Sequence, residues 1–168
     1  ASLAQDLRHA IELDELEAHY QPQVNIHTGE IVGFESLLRW QHSIHGHVSP
    51  AKFIPIAESN GLICDLGHWI LLESCRQAKN WIDQGLDVRK ISVNVSVAQI
   101  RQIGFEREVE KILKETHLPP SVLCLELTES LFADTALRRV RDVLDKLKGI
   151  GIKLAIDDFG TGYSSLSY

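Results

Sequence analysis

An α/β fold built on parallel strands is what this sequence predicts, and three observations carry that expectation. From about residue 87 a strand–helix unit repeats: "VRKISVNVS" (88–96), "FEREVEKILKET" (105–116), "SVLCLELTES" (121–130), "DTALRRVRDVLDKLKGIG" (134–151) and "KLAIDDFG" (153–160). Strands and helices that alternate at this spacing are joined as parallel neighbours through right-handed crossovers. The strands alternate apolar and polar residues with period two, whereas the helices carry apolar stripes of helical period. No linker or low-complexity stretch divides the 168 residues, so they form one domain or part of one.

The elements follow in order. "LAQDLRHAIELDE" (3–15) reads as an amphipathic lead-in helix. "QPQVNI" and "EIVGFESLL" read as arms of a hairpin turned by "HTG", which makes the first strand antiparallel to the second. Ser49–Pro50 opens a short helix in "SPAKFIPIAESNG", although Pro55 weakens its first turns. A long helix spans 65–85 and stops at Gly85. In the helix at 105–116, Phe105, Val109, Ile112 and Leu113 share a stripe. In the helix at 134–151, Leu137, Val140, Leu144 and Leu147 do so, with Asp134 as N-cap and Gly149 or Gly151 as stop.

Composition narrows the function. A net charge of −6 argues against a nucleic-acid duplex as partner, because duplex binders need a basic face. An anionic ligand whose charge is met by metal ions fits. No apolar run reaches membrane-spanning length and no signal pattern opens the chain, so a cytoplasmic protein is expected. The absence of methionine, even at position 1, fits a piece of a longer protein. Cys64, Cys75 and Cys124 form no CxxC pair and read as buried free thiols.

Polar residues interrupt the strands at matching places. Asn94 lies opposite the face of Ile91, Val93 and Val95; Glu126 opposite that of Leu123, Leu125 and Leu127; Asp157 opposite that of Leu154 and Ile156. Each falls near the C-terminal end of its strand, where open α/β sheets and (β/α)8 barrels bind ligands. Glu35 in "GFESLLRW" adds a fourth group. Carboxylates and an amide converging on one rim make a hard oxygen site, suited to Mg²⁺ or Mn²⁺ rather than zinc. Asp158, beside Asp157, can hold a second ion, the arrangement used for attack at phosphorus.

These residues lie in motifs that resemble the EAL-domain family of cyclic-di-GMP-specific phosphodiesterases. The match runs from about Leu3 to the last residue through "YQPQV", "GFESLLRW", "AESNGLI", "SVNVS", "LELTES" and "IDDFGTGYSSLSY". In the motif that names the family, Glu35–Ser36–Leu37, serine replaces alanine. Ser36 points away from Glu35 along the strand, so the change is expected to be tolerated.

The resemblance implies a (β/α)8 TIM-like barrel with an antiparallel first strand, ending here after the fifth strand. Residues 1–168 are then an EAL domain without its last three strands. It implies metal ligation by Glu35, Asn94, Glu126 and Asp157, with Asp158 at a second ion. Arg39 would clamp a phosphate, Gln21 and Leu37 would line the dinucleotide pocket, and Glu129 would anchor the loop 159–165. The implied reaction is hydrolysis of cyclic-di-GMP to linear pGpG in bacterial signalling. The alternative is a non-catalytic EAL module that binds the dinucleotide or a protein partner. Sensor or GGDEF-type domains upstream in a longer protein, one that can be membrane-tethered, and a homodimer through EAL domains are the expected partners. His42, His45 and His47 read as solvated loop histidines, and Trp40, Trp69 and Trp81 as packing residues.

Overall fold

The computed structural model describes residues 2–128, 131, 137–157 and 166–167. Helix α1 (Leu3–His9) leads into the hairpin β1 (Leu16–Val24) and β2 (Ile31–His42), followed by the short strand β3 (Gly46–Val48). Helices α2 (Pro50–Asn60) and α3 (Ile63–Asp83) connect to β4 (Ile91–Val95). Then come α4 (Val97–Arg101), α5 (Phe105–Thr116), β5 (Leu123–Thr128), α6 (Leu137–Ile150), β6 (Lys153–Asp157) and β7 (Leu166–Ser167). The sheet order is β1-β2-β4-β5-β6-β7, with β3 also on β2. Strands β2, β4, β5 and β6 are parallel neighbours, whereas β1 and β7 run antiparallel at the two ends.

Each crossover helix buries one stripe. Phe105, Val109, Ile112 and Leu113 of α5, with Val140, Leu144 and Leu147 of α6, pack on Ile91, Val93, Leu123, Leu125 and Leu127. The side chain of Leu137 and the expected cap Asp134 lie outside the described residues. A second apolar cluster joins α1, α2 and the start of α3 around Trp40 and Phe53, whose rings meet edge to face at 5.7 Å. Trp81 packs edge-on against Tyr20 and tilted against Phe34, a packing role as expected.

The structure departs from expectation at three places. The lead-in helix ends at His9 rather than at residue 15. Buried Glu15 accepts hydrogen bonds from Trp40 Nε1 (3.2 Å) and Ser43 N (3.0 Å), and this pull draws the chain out of the helix through Asp14 at φ +55°. Past the loop expected at 159–165, Leu166–Ser167 returns to pair with Ile156 and Ala155, occupying the outer edge of β6. Pro55 does not break α2, which runs unbroken through it to Gly61 at φ +82°.

Candidate functional site

The side chains of Glu35, Asn94 and Glu126 share one facet, and the register shows how the row is stepped. On β1 and β2, Gln21 lies directly across from Glu35, and Glu35 is level with Ser92 of β4. Asn94 is level with Glu126, but Glu126 is level with Ala155, so Asp157 sits two residues higher, beside Thr128. The row steps up by two residues between β2 and β4 and again between β5 and β6, and stays level between β4 and β5, a stagger of the kind a barrel requires. Asn94 Nδ2 donates to Glu35 Oε2 at 3.2 Å, bridging the first step. Asn94 is exposed, Glu35 half-buried, and Glu126 is buried to 7% exposure.

Leu37 and Arg39 continue the Glu35 facet along β2, across from His19 and Glu17. The guanidinium of half-buried Arg39 donates from Nη1 to the Leu38 carbonyl (3.2 Å), which uses one of its five N–H donors. The structure therefore gathers Gln21, Glu35, Leu37, Arg39, Asn94 and Glu126 on one facet and places the backbone of Asp157 at its upper step. Asp158, Glu129, the loop 159–165 and the side chain of Asp157 lie outside the described residues.

A cavity of about 330 Å³ opens beside this facet, between the C-terminal ends of β2 and β4 and the helices α2 and α3. Ile54 and Leu66 wall its apolar side, and Arg39, Asn94, Glu58 and Ser96 its polar side. Ser96 Oγ donates to Glu58 Oε2 at 3.1 Å, while Ser96 also caps α4 in a reciprocal box with Gln99. The sequence pattern missed Glu58 and Ser96. The motif "AESNGLI" contained the glutamate, but a carboxylate in a last helical turn is ordinarily solvated.

Oxygen donors fit a hard divalent cation. With Nδ2 of Asn94 committed to Glu35, Oδ1 is the atom left to ligate a cation. A different cluster, Asp6, His42 and His45, brings its ligand atoms within 4.8 Å of one another. Hydrogen bonding speaks against it. His42 Nδ1 accepts from the backbone N–H of Ile44 (3.0 Å) and His45 (3.1 Å), so Nε2 carries the proton and donates it to Asp6 (2.8 Å). Neither ring nitrogen retains a lone pair for a metal. The expectation of a solvated loop histidine fails for His42, the buried last residue of β2 that ties down its turn.

Cys75 and Cys124 are buried free thiols and Cys64 is half-buried. Burial pushes the Cys75 thiol up to about 12, which makes it inert at neutral pH. Among the described residues no helix is long and apolar enough to cross a membrane.

The EAL domain family model matches residues 4–168. The bifunctional diguanylate cyclase/cyclic di-GMP phosphodiesterase MucR of Pseudomonas aeruginosa is 44% identical over 169 residues, covering 99% of this chain and 24% of MucR. The signaling protein YkoW of Bacillus subtilis is 41% identical, over 96% of this chain and 20% of its own length. A solved MucR phosphodiesterase in complex with c-di-GMP superposes with a TM-score of 0.88 at 43% identity, covering 95% of this chain and 64% of that one. The cGMP-bound EAL enzyme Bd1971 superposes with a TM-score of 0.84 at 33% identity, over 98% of this chain and 46% of that one. The chain thus spans about a quarter of the curated relatives it matches and under two thirds of these solved chains. It belongs to the EAL domain family.

Proposed function

We propose that this EAL domain is the catalytic module of a divalent-metal-dependent cyclic-di-GMP phosphodiesterase that hydrolyses one phosphodiester to linear pGpG. The observation that carries the reading is the stepped facet in which Asn94 bonds Glu35 and stands level with Glu126, beside a cavity edged by Arg39. Glu35, Asn94, Glu126 and Asp157 would hold Mg²⁺ or Mn²⁺, with Asp158 at a second ion. Bound ions would supply neutralisation of the phosphate charge and a lowered pKa for the attacking water. Arg39 presents a fork that can grip a phosphate through two parallel hydrogen bonds. Leu37 lines the same cavity, Gln21 stands across from Glu35 on the same facet, and both are assigned to the dinucleotide pocket, with Glu129 assigned to ordering the loop 159–165.

A non-catalytic module remains the second reading, and retention of all five ligand positions speaks for the first. Cytoplasmic location, further domains in a longer protein and pairing through EAL domains belong to the same proposal. The β1 and β7 ends of the sheet lead us to assign residues beyond 168 to closing a barrel. Full-length protein is therefore expected to release pGpG with Mg²⁺ or Mn²⁺. Residues 1–168 expressed alone are expected to be inactive and to regain turnover when the C-terminal third is supplied. Full-length protein that binds cyclic-di-GMP without hydrolysing it, with either metal, sinks the catalytic reading.

A further inference from the structure

Position 36 lies beside Glu35, and its side chain faces the opposite way, into the packing between β2 and α3. Ser36 is 2% exposed and Ser74 of α3 is fully buried, and their Oγ atoms are hydrogen-bonded. Ser74 Oγ also donates to the Ile70 carbonyl one turn back. A hydroxyl has a single proton. Ser74 spends its own on Ile70, so Ser36 is the donor between the two serines. The dependence is one-sided: Ser74 keeps its partner without Ser36, whereas Ser36 loses the acceptor it has in place without Ser74.

A third hydroxyl borders the pair. Tyr20 of β1 lies directly across from Ser36, and its buried Oη makes no hydrogen bond of normal geometry. Burial, reinforced by the Glu73 charge, pushes the phenol up to about 12 despite the neighbouring serines. These hydroxyls lie beneath the strand whose other facet carries Glu35, so the depth of β2 against α3 sets the height of Glu35 opposite Asn94.

We propose that Ser74 is a positioning residue for Glu35, and that Ser36 is compatible with the site only because Ser74 receives its proton. Without that acceptor a buried donor is orphaned. Ser36 then turns toward Tyr20 or lifts β2, and either movement disturbs the 3.2 Å bond between Asn94 and Glu35. The consequence for the site rests on the proposed phosphodiesterase reading; the consequence for stability does not.

A double-mutant cycle in the full-length protein tests the pair, using the thermal midpoint of the domain and calorimetric titration with Mn²⁺ alone. Ser36→Ala is expected to leave the midpoint within about 2 °C, because Ser74 stays bonded to Ile70. Ser74→Ala is expected to lower it by about 3–8 °C and to weaken Mn²⁺ binding roughly three- to tenfold. The double variant, in which neither serine hydroxyl is left to be orphaned, recovers most of both losses. Adding Tyr20→Phe to Ser74→Ala removes the alternative acceptor and deepens the loss. Should Ser74→Ala fail to fold, the double variant must still fold, and failure of both overturns the proposal. Additive single effects overturn it as well, and so does a destabilised Ser74→Ala variant with unchanged Mn²⁺ affinity. Glu35→Gln is the control. If it binds Mn²⁺ as the parent does, the ligand assignment fails, and the thermal cycle alone decides whether the serines are coupled.

Discussion

The two facets of the central sheet share one backbone and differ in almost every other respect. On the outer facet Ile91, Val93, Leu123, Leu125 and Leu127 are all at most 1% exposed beneath α3, α5 and α6. On the inner facet, one residue away in each strand, stand Glu35, Asn94 and Glu126. On β4 and β5 the outer facet repeats one solution, a branched apolar side chain at every second position. The inner one changes residue at every step and brings like charges together. Grouping carboxylates costs stability unless a cation or hydrogen bonds offset it. The contrast therefore separates what folds this domain from the facet proposed to carry its chemistry.

Paired substitutions across one strand break the comparison most sharply. Glu35→Gln on the inner facet is expected to lower cyclic-di-GMP hydrolysis by the full-length protein about 100-fold or more. Its melting temperature should hold or rise, since a charge leaves an acidic cluster. Leu125→Ala on the outer facet is expected to cost about 2–5 kcal/mol, with turnover per folded molecule kept. Hydrolysis rates beside urea unfolding curves give both readouts. Near-normal turnover by Glu35→Gln would remove the inner facet from the chemistry.

A smaller effect is expected for Arg39, which lies on the inner facet and which we propose meets substrate rather than metal. In the Glu35→Gln background, where turnover is lost, calorimetry can follow cyclic-di-GMP binding alone. Arg39→Ala is expected to weaken it roughly 10- to 100-fold, the worth of one or two charge-assisted hydrogen bonds. Arg39→Lys is expected to recover only part of this, because an ammonium cannot grip two oxygens in parallel. Equal affinity in all three proteins would separate Arg39 from the phosphate.

The facets were legible in the sequence because both are written in local periodicity. Alternation put Asn94, Glu126 and Asp157 opposite their apolar neighbours, and the crossover helices followed from their stripes. The stepping was not legible. Separations of 32 and 31 residues count helix and loop lengths, whereas register depends on how far each strand slides along the next. Contacts between distant residues were hidden for a similar reason. Ser36 meets Ser74 and Ser96 meets Glu58 across 38 residues, and His42 meets Asp6 across 36. Each looked like an ordinary polar residue until the fold supplied its partner.

The helix that ended early gives the last and smallest expected effect, at the edge of the comparison, where a carboxylate serves the fold instead of the site. Burial alone would raise the pKa of Glu15, but the hydrogen bonds from Trp40 and Ser43, with the nearby His42, outweigh it and hold the carboxyl below its ordinary value. A group whose folded pKa is depressed contributes stability that is fully present above the unfolded value, near 4.5, and is lost as pH falls through the lower folded value. Glu15→Gln replaces one acceptor oxygen with a donor that opposes either Trp40 or Ser43. At pH 7 it is expected to cost about 1–2 kcal/mol. Below pH 4.5 the gap to the parent should narrow, because the parent loses the same charge there by protonation. Urea midpoints measured from pH 7 down to pH 3 check the sign. A gap that stayed constant or widened on acidification would mean that the Glu15 charge does not hold α1 and the β2–β3 turn together, and that neutral packing around Trp40 suffices.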